Sequence, residues 1–424
     1  MYVLYTIVLT FGLVAVLPYY LFRSRNYGRT LFNRLGFVET QPEHSAIWIH
    51  AVSVGEVKAV DSLVERLTQE FPKLKVLLST TTMTGQELAK KRDDFVRIIF
   101  FPIDIPNAVS RVLERVRPKL VVMTETEIWP NFLRECRRRK IPVIMLNGRI
   151  SDQSYGRYLI LRSWLRSVLS DYWLLAMQSE TDADRIRAMG AAPDKIAVFG
   201  NIKYDLGPPP PTLEQKLIET LEALSPLLVA ASTASGEEKQ VLEAFRRLRK
   251  NQPKLKLLVA PRLSSRFNVV SQLLKKSEFS SLRRSELMKN AESTDIILLD
   301  SIGELTSVFQ HATVVFMGGT LVPRGGHNVL EPARFAKPIL FGPHMQNFRE
   351  MANQFVTSKA AVQVSDIDNL VNAIDYLLKH PSDATKLGNN ARRLVEKNSG
   401  ATDNAIKAIR QCLEEIDQDS EKIL

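Results

Sequence analysis

Four charged side chains in this sequence have the types and positions that acid–base chemistry requires. Glu56 follows a short apolar run, and Glu125 and Glu127 follow a second one further along the chain. Lys203 comes after a third apolar run. A carboxylate can take a proton from a hydroxyl group, and a lysine can stabilise negative charge on a reacting group. These residues predict a site for proton transfer if the fold brings them together, and ordinary charged helix ends if it does not.

The stretch Gly318–Pro332 could bind a nucleotide. Its two glycine pairs let the backbone turn sharply and approach a ligand. Residues 328–335 predict the first turns of a helix, whose free N–H groups and dipole favour an anion. Asn328 and Glu331 share one face of that turn, where an amide suits a phosphate oxygen and a carboxylate suits ribose hydroxyls. Because the stretch lacks the GxGxxG and P-loop lysine patterns, an ordinary βα loop is the alternative interpretation.

An alternation of apolar runs and amphipathic stretches predicts the framework that positions the four charged side chains and the glycine-rich stretch. Between residues 46 and 204, predicted strands alternate with helices, which is typical of a parallel sheet covered on both faces. The carboxylates and Lys203 follow strands, and ligands bind at the carboxyl ends of the strands in such sheets. The proline run in Leu206–Thr212 predicts a stiff linker, after which a second α/β pattern begins. Within that second half, Lys275–Ser293 predicts a solvated loop.

Composition limits the partners of the chain. At 424 residues it is long enough for two domains and an extra segment. A net charge of +11 favours an anionic partner, which could be nucleic acid, an acidic membrane surface or a phosphorylated substrate. The two cysteines make neither a disulfide framework nor a metal site, so we expect a reducing compartment and no bound structural metal.

The segment Met1–Phe22 contains no charged side chain, and as a helix it would be about 33 Å long, enough to cross a membrane. Four arginines between residues 23 and 34 follow it, which predicts that the rest of the chain lies in the cytoplasm. The positive charge behind the apolar run argues against a cleaved signal peptide. We therefore predict a membrane-anchor helix over residues 1–22, with a buried core helix as the alternative.

These observations together predict the GT-B class of α/β glycosyltransferases, by analogy of fold. In that class two Rossmann-like domains face each other across a cleft, and substrates commonly bind between domains. The expected domains are an acceptor domain at residues 23–206 and a nucleotide-binding domain at residues 207–424, with the anchor preceding them.

Seven short motifs occur along nearly the whole chain in the order expected of one family. They are HAVSVGE (50–56), TTMTG (81–85), ETEIWPN (125–131), GNIKYD (200–205), APR (260–262), IGEL (302–305) and GGHNVLEPA (325–333). The sequence thereby resembles the 3-deoxy-D-manno-octulosonic acid (Kdo) transferases of lipopolysaccharide synthesis. The resemblance implies an enzyme of the bacterial inner membrane that transfers Kdo from CMP-Kdo to the lipid A precursor with inversion. It implies no metal, no cofactor and no nucleic-acid partner.

The resemblance also implies roles for individual residues. Glu56 would be the general base that takes the proton from the acceptor hydroxyl, and Glu125 and Lys203 would support the transition state. The residues implied to hold CMP are Pro261, Arg262, Ile302, Gly303, Glu304, Asn328, Val329, Leu330 and Glu331. Leu263 and Ala234 stand where the family usually has histidine, so the contacts of the ligand there are expected to differ.

Two other functions remain as alternatives at this point. One is a GT-B transferase that uses a different nucleotide sugar, such as a UDP-hexose. The other is a basic, membrane-associated protein that binds nucleic acid or a lipid surface, which the charge would suit. The second is disfavoured because the sequence has no recognisable RNA- or DNA-binding module.

Overall fold

The computed structural model describes residues 1–23, 25–37, 46–91, 96–206, 212–286 and 294–421. The chain forms two compact units, one made of Met1–Asp205 with Asn398–Leu424 and the other of Leu206–Lys397. Most of the predicted proline linker, residues 207–211, lies outside the described residues.

The first unit is built on a seven-stranded sheet whose paired strands are all parallel. Its strands are β1 (Ala46–His50), β2 (Lys75–Thr80), β3 (Val96–Phe100), β4 (Pro118–Thr124), β5 (Val143–Gly148), β6 (Leu174–Met177) and β7 (Ile196–Val198). They lie in the order β3-β2-β1-β4-β5-β6-β7, so the direction of winding reverses between β1 and β4. A crevice at the carboxyl ends of the strands forms at such a reversal, which is where open α/β sheets bind their ligands.

Helices cover both faces of this sheet because its strands carry apolar side chains in both directions. They are α1 (Tyr2–Arg23), α2 (Arg25–Arg34), α3 (Val54–Ala59), α4 (Asp61–Glu70), α5 (Met83–Ala89), α6 (Pro106–Val116), α7 (Pro130–Arg138), α8 (Asp152–Ile160), α9 (Arg162–Leu169) and α10 (Glu180–Ala188). Val60 separates α3 from α4.

The prediction of a membrane-crossing anchor over Met1–Phe22 is not supported. Within the described part of the chain, no helix combines the length and the apolar character needed to cross a membrane. Polar groups near the start of α1 instead contact the first unit: the Tyr5 hydroxyl donates to the Asp104 carboxylate at 3.0 Å. The Asn131 side-chain amide donates to the Thr6 hydroxyl at 3.0 Å. The sequence reading missed these contacts because it considered the apolar content of the segment and not the partners of its hydroxyl groups.

The second unit contains another seven-stranded sheet with parallel pairing throughout. Its strands are β8 (Leu227–Thr233), β9 (Lys256–Pro261), β10 (Ser281–Arg283), β11 (Ile296–Leu298), β12 (Val314–Met317), β13 (Ile339–Phe341) and β14 (Val362–Gln363), in the order β10-β11-β9-β8-β12-β13-β14. The expectation of a loop over Lys275–Ser293 is wrong for β10, which pairs with β11 at the edge of the sheet. Arg283 is held there by the side chains of Asn268 and Ser271.

The helices of the second unit are α11 (Gln215–Ala223), α12 (Glu237–Asn251), α13 (Phe267–Lys275), α14 (Leu305–Val308), α15 (Leu330–Arg334), α16 (Arg349–Thr357), α17 (Ile367–Lys379) and α18 (Pro381–Asn398). The helix expected to begin at Asn328 begins at Leu330 and has five residues.

The last helix, α19 (Ala401–Glu421), belongs to the first unit, whereas the sequence reading assigned everything up to residue 424 to the second domain. Its apolar face packs into the core formed by β1, β4 and α4. The Asp205 carboxylate accepts hydrogen bonds from the backbone N–H groups of Gly400 at 2.6 Å and Thr402 at 2.5 Å. A side chain at the end of the β7 loop therefore caps a helix that begins almost two hundred residues later.

We predict that Asp205→Ala lowers the free energy of unfolding by about 1–2 kcal/mol, because two N–H groups at the start of α19 lose a charged acceptor. Urea unfolding of the full chain measures this change. Asp417→Ala, which removes an exposed ion pair with Lys119 from the same helix, is the control and should cost less than about 1 kcal/mol. Equal effects of the two substitutions would show that Asp205 has no special role.

Candidate active site

Glu56 lies on α3, directly after the carboxyl end of β1, and is 8% exposed. One carboxylate oxygen accepts from the Val52 N–H at 2.9 Å and from the Thr124 hydroxyl at 3.2 Å. The other oxygen accepts from the Ser53 hydroxyl at 3.0 Å. Burial raises the pKa of Glu56 and the nearby charge of Glu125 raises it further, while the three hydrogen bonds act in the opposite direction. The result is a fixed carboxylate that is a stronger base than an exposed one.

Glu125 and Lys203 form an ion pair at the same edge of the sheet. Glu125 follows β4 with a φ of 58°, in the left-handed region that a residue with a side chain adopts only at a cost. The Lys203 Nζ lies 2.7 Å from a Glu125 oxygen, and both side chains are about one-third exposed. The backbone conformation thus directs a partly accessible pair of opposite charges toward solvent at the ligand-binding edge.

A network of side-chain amides holds the turn that carries Lys203. Asn147, buried and with a φ of 62°, accepts from the Ile202 N–H at 3.1 Å. The Asn201 side chain accepts from the Lys203 N–H at 2.9 Å. Gln178 connects the two asparagines, since it donates to the Asn147 carbonyl and accepts from the Asn201 amide. This network could not be predicted from the sequence, because Gln178 belongs to no distinguishing motif.

Glu127, the third candidate carboxylate of the first unit, lies close to His50, the last residue of β1. The His50 Nε2 and a Glu127 oxygen are 3.9 Å apart, and the Trp129 indole N–H donates to the same oxygen at 2.7 Å. Burial raises the pKa of Glu127 to about 7, and the charges of Glu56 and Glu125 add to this effect against the opposing Trp129 hydrogen bond. The structure therefore brings Glu56, Glu125, Glu127 and Lys203 to one sheet edge, as predicted from their positions after strands.

In the second unit, the first glycine loop already holds a carboxylate that belongs to the protein. Glu237, fully buried at the start of α12, accepts from the N–H groups of Gly319 at 2.6 Å, Thr320 at 3.0 Å and Leu321 at 2.9 Å. It also accepts from the Ala234 N–H at 3.1 Å. These amides therefore serve to shape the loop. Sequence reasoning missed Glu237, although its position after a strand and next to Gly236 resembles that of Glu56 after Gly55.

The residues predicted to hold a nucleotide follow β9, β11 and β12 at the carboxyl-end edge of the second sheet. Pro261 ends β9, and Arg262 is exposed after it. Ile302 is 84% exposed, and Gly303 has a φ of 93°. Glu304 is paired with Arg284 at 2.9 Å. The exposed Arg262 and Ile302 are accessible to a ligand.

The Asn328–Glu331 segment is shaped by its own side chains. The Asn328 side chain accepts from the Leu330 N–H at 3.1 Å, and Val329 and Leu330 are buried. The Thr306 hydroxyl donates to the Glu331 carboxylate at 2.7 Å. Since Thr306 is two residues after Glu304, this bond connects two of the three predicted nucleotide-binding segments.

Among the described residues, no three His, Cys, Asp or Glu side chains are grouped so that they could hold a metal ion.

The chain has two Rossmann-like units, each built on a parallel sheet, as glycosyltransferases of the GT-B class have. Residues 236–394 match the model of the group 1 glycosyl transferases. The fold is similar to that of CalG4, the calicheamicin glycosyltransferase, with a TM-score of 0.52, 14% sequence identity and coverage of 88% of this chain and 99% of that one.

Proteins of similar sequence show which family this chain belongs to. Residues 29–206 match the model of 3-deoxy-D-manno-octulosonic-acid transferase. The chain is 36% identical over 400 residues to the 3-deoxy-D-manno-octulosonic acid transferase of Haemophilus influenzae, covering 92% of this chain and 93% of the relative. It is 30% identical over 399 residues to the enzyme of the same name from Chlamydophila psittaci, covering 90% and 89%. This chain therefore belongs to the Kdo transferase family, as its motifs predicted.

We predict that Glu237→Gln loosens the first glycine loop, because an amide supplies one acceptor oxygen where the carboxylate supplies two. Hydrogen exchange of the Gly319, Thr320 and Leu321 amides, measured by mass spectrometry, should become faster. The increase should correspond to a free energy of local opening that is lower by about 2 kcal/mol. Glu243→Gln, on the exposed face of α12, is the matched control and should leave these amides unchanged. Protection that persists in Glu237→Gln would contradict the role given to this carboxylate.

Proposed function

We propose that this protein transfers Kdo from CMP-Kdo to the lipid A precursor by an inverting displacement in which Glu56 is the general base. Membership of the Kdo transferase family supports the sugar and the pathway. The observation that carries the mechanism is the orientation of Glu56 by three hydrogen bonds at the β1–β4 reversal of the sheet.

Glu56 suits the removal of a proton from the attacking hydroxyl group. Its buried surroundings strengthen it as a base, and the donors Val52, Ser53 and Thr124 keep its ionised form available. A carboxylate with a moderately raised pKa is still largely ionised at neutral pH and accepts a proton more readily than an exposed one. The hydroxyl oxygen, once deprotonated, forms the new bond to the anomeric carbon as the bond to the CMP phosphate breaks.

The Glu125–Lys203 pair supplies both signs of charge that such a displacement needs. The transition state has oxocarbenium character at the sugar, which a nearby carboxylate stabilises. The departing CMP gains negative charge on its phosphate, and a lysine ammonium stabilises that charge. Because the pair is only partly exposed, its charges act with less screening than they would on an open surface.

The second unit is proposed to bind the CMP part of the donor. Its candidates are Arg262 for an anionic group, the exposed segment Ile302–Glu304, and the backbone and polar side chains of Asn328–Glu331. Leu263 is 58% exposed where the family usually has histidine, so it contributes an apolar contact in place of a hydrogen bond.

The acceptor is a lipid, and we place the reaction at the cytoplasmic face of the bacterial inner membrane. The net charge of +11 suits an anionic bilayer and a phosphorylated acceptor. The start of α1 exposes apolar side chains on one side, among them Val3 at 71%, Val8 at 63% and Phe11 at 73%. An exposed apolar surface of this kind is suited to contact with lipid.

We predict that Glu56→Gln lowers turnover of CMP-Kdo and lipid A precursor by about 10²–10⁴-fold, because the amide cannot take the proton. Release of CMP and the mass of the glycolipid product measure turnover in detergent. The Kd of CMP, measured by calorimetry, should change by no more than about twofold. The substitution alters the chemistry of the transition state but leaves the contacts of the nucleotide intact.

Glu65→Gln, an exposed carboxylate on α4, is the control and should behave as wild type. Wild-type turnover should fall in acid at a pH above the ordinary glutamic acid pKa of about 4.3, because burial raises the pKa of Glu56. Absence of CMP release from the wild type would overturn the proposed function. A stronger thermal stabilisation by UDP than by CMP would then favour a transferase that uses another nucleotide sugar.

We also predict that Asn147 acts through Lys203. Asn147→Gly permits the observed φ but removes the acceptor for the Ile202 N–H, so kcat/KM should fall about 10–100-fold through misplacement of the lysine. In a Lys203→Met background the same substitution should cost less than about threefold, which a double-mutant cycle on kcat/KM measures. Equal losses in both backgrounds would contradict the coupling.

A further inference from the structure

His50 is a completely buried histidine whose Nδ1 contacts two oxygen atoms of Ser79. Its Nδ1 lies 3.2 Å from the Ser79 carbonyl oxygen, which can only accept, and 2.9 Å from the Ser79 hydroxyl oxygen. The Trp48 indole N–H donates to that hydroxyl oxygen at 2.7 Å, and the hydroxyl faces the Ile49 carbonyl. When Nδ1 donates its hydrogen to the Ser79 carbonyl oxygen, Nε2 carries a lone pair in the neutral ring.

That lone pair faces a carboxyl group. Among the described residues Nε2 has no hydrogen-bond partner, and its neighbour is the Glu127 oxygen at 3.9 Å. Phe101 stacks on the imidazole with ring centroids 3.9 Å apart, so the ring has little room to turn. A carboxylate would repel the lone pair, whereas a carboxylic acid can donate its O–H to it. A shift of the Glu127 side chain by about 1 Å brings the two atoms to hydrogen-bond distance.

The surroundings favour a proton on Glu127 over one on His50. Burial is the largest effect on both groups, raising the pKa of Glu127 to about 7 and lowering that of His50 to about 3. Both effects favour the uncharged forms. The other titratable or charged groups that face the pair are Glu56 on α3, Glu125 after β4, Tyr158 on α8, Tyr172 before β6 and Arg34 on α2.

We propose that Glu127 is held as a carboxylic acid by an O–H···N hydrogen bond to His50, and that this neutral pair is a positioning element for the reaction of Glu56. The role in the reaction depends on the proposed function. The donor sugar is itself an acid and its nucleotide carries a phosphate, so uncompensated carboxylates would repel it. Lys203 compensates Glu125 and the proton compensates Glu127, which leaves Glu56 as the single uncompensated carboxylate among the three.

The protonation of Glu127 is tested without any turnover. Infrared spectra of the full chain should show the C=O stretch of a protonated carboxyl group near neutral pH, and Glu127→Gln should remove that part of the band. In spectra of protein labelled with ¹⁵N-histidine, His50 should show the Nδ1–H tautomer, identified by its loss in His50→Asn. Identical carboxyl bands in wild type and Glu127→Gln, or an Nε2–H tautomer of His50, would show that the proposed Glu127–His50 hydrogen bond does not exist.

The role of the pair is tested by pH profiles of kcat/KM with CMP-Kdo and lipid acceptor. Glu127→Ala should lower kcat/KM about 10–100-fold, and Glu127→Gln should restore most of it at low pH, because its uncharged amide N–H can also donate to Nε2. Wild-type kcat/KM should fall as pH rises through the pKa of Glu127, and the Glu127→Gln profile should lack this decline. If Glu127 had only a structural role, Glu127→Gln would not remove this decline from the pH profile.

Trp129→Phe provides a second, directional measurement. The indole hydrogen bond lowers the pKa of Glu127, so its removal should move the decline in kcat/KM to higher pH. A Glu127→Gln enzyme as impaired as Glu127→Ala would show that the carboxylate charge is required and would overturn the proposed role. If the wild type transfers no Kdo, the proposed function fails, while the infrared and nitrogen spectra still decide whether the pair exists.

Discussion

The structure depends on a constraint of parallel sheets that are covered on both faces. Side chains on the strands of each sheet are buried, so charged groups can reach a ligand only from the loops after the strand ends. In the first unit the reversal between β1 and β4 places the loops that carry Glu56 and Glu125 next to each other. The candidate site residues of this chain are therefore restricted to a few positions that follow strands.

Buried carboxylates organise the loops of both units, and they differ in how much of their hydrogen-bonding capacity is used. Glu237 accepts four backbone N–H groups, so it fixes a loop and has no remaining role toward a ligand. Glu56 accepts only one backbone N–H, together with two hydroxyl groups that can rotate. In its proposed role as a base, Glu56 would exchange partners during the reaction, and its hydroxyl donors allow that exchange, whereas the rigid amides around Glu237 do not.

The sequence was sufficient for the strands, the parallel sheets and the edge where Glu56, Glu125 and Lys203 meet, because periodicity and strand-end position report burial directly. It was insufficient for interactions between segments far apart in the chain. The Asn147–Gln178–Asn201 network, the contact of Tyr5 with Asp104 and the return of α19 to the first unit each depend on tertiary contacts that local patterns do not encode. The short edge strand β10 was missed because three residues carry too little periodicity.

The carboxylate of Asp205 joins the turn after β7 to residues 195 and 197 positions further along the chain. During synthesis the whole of the first sheet leaves the ribosome long before α19 does. The nascent first unit can thus form its strands early, but the loop that bears Lys203 receives its final support only after residues 400–402 have been synthesised. A chain truncated before residue 400 would accordingly contain every strand of the first sheet but lack the N–H groups that the Asp205 carboxylate accepts from.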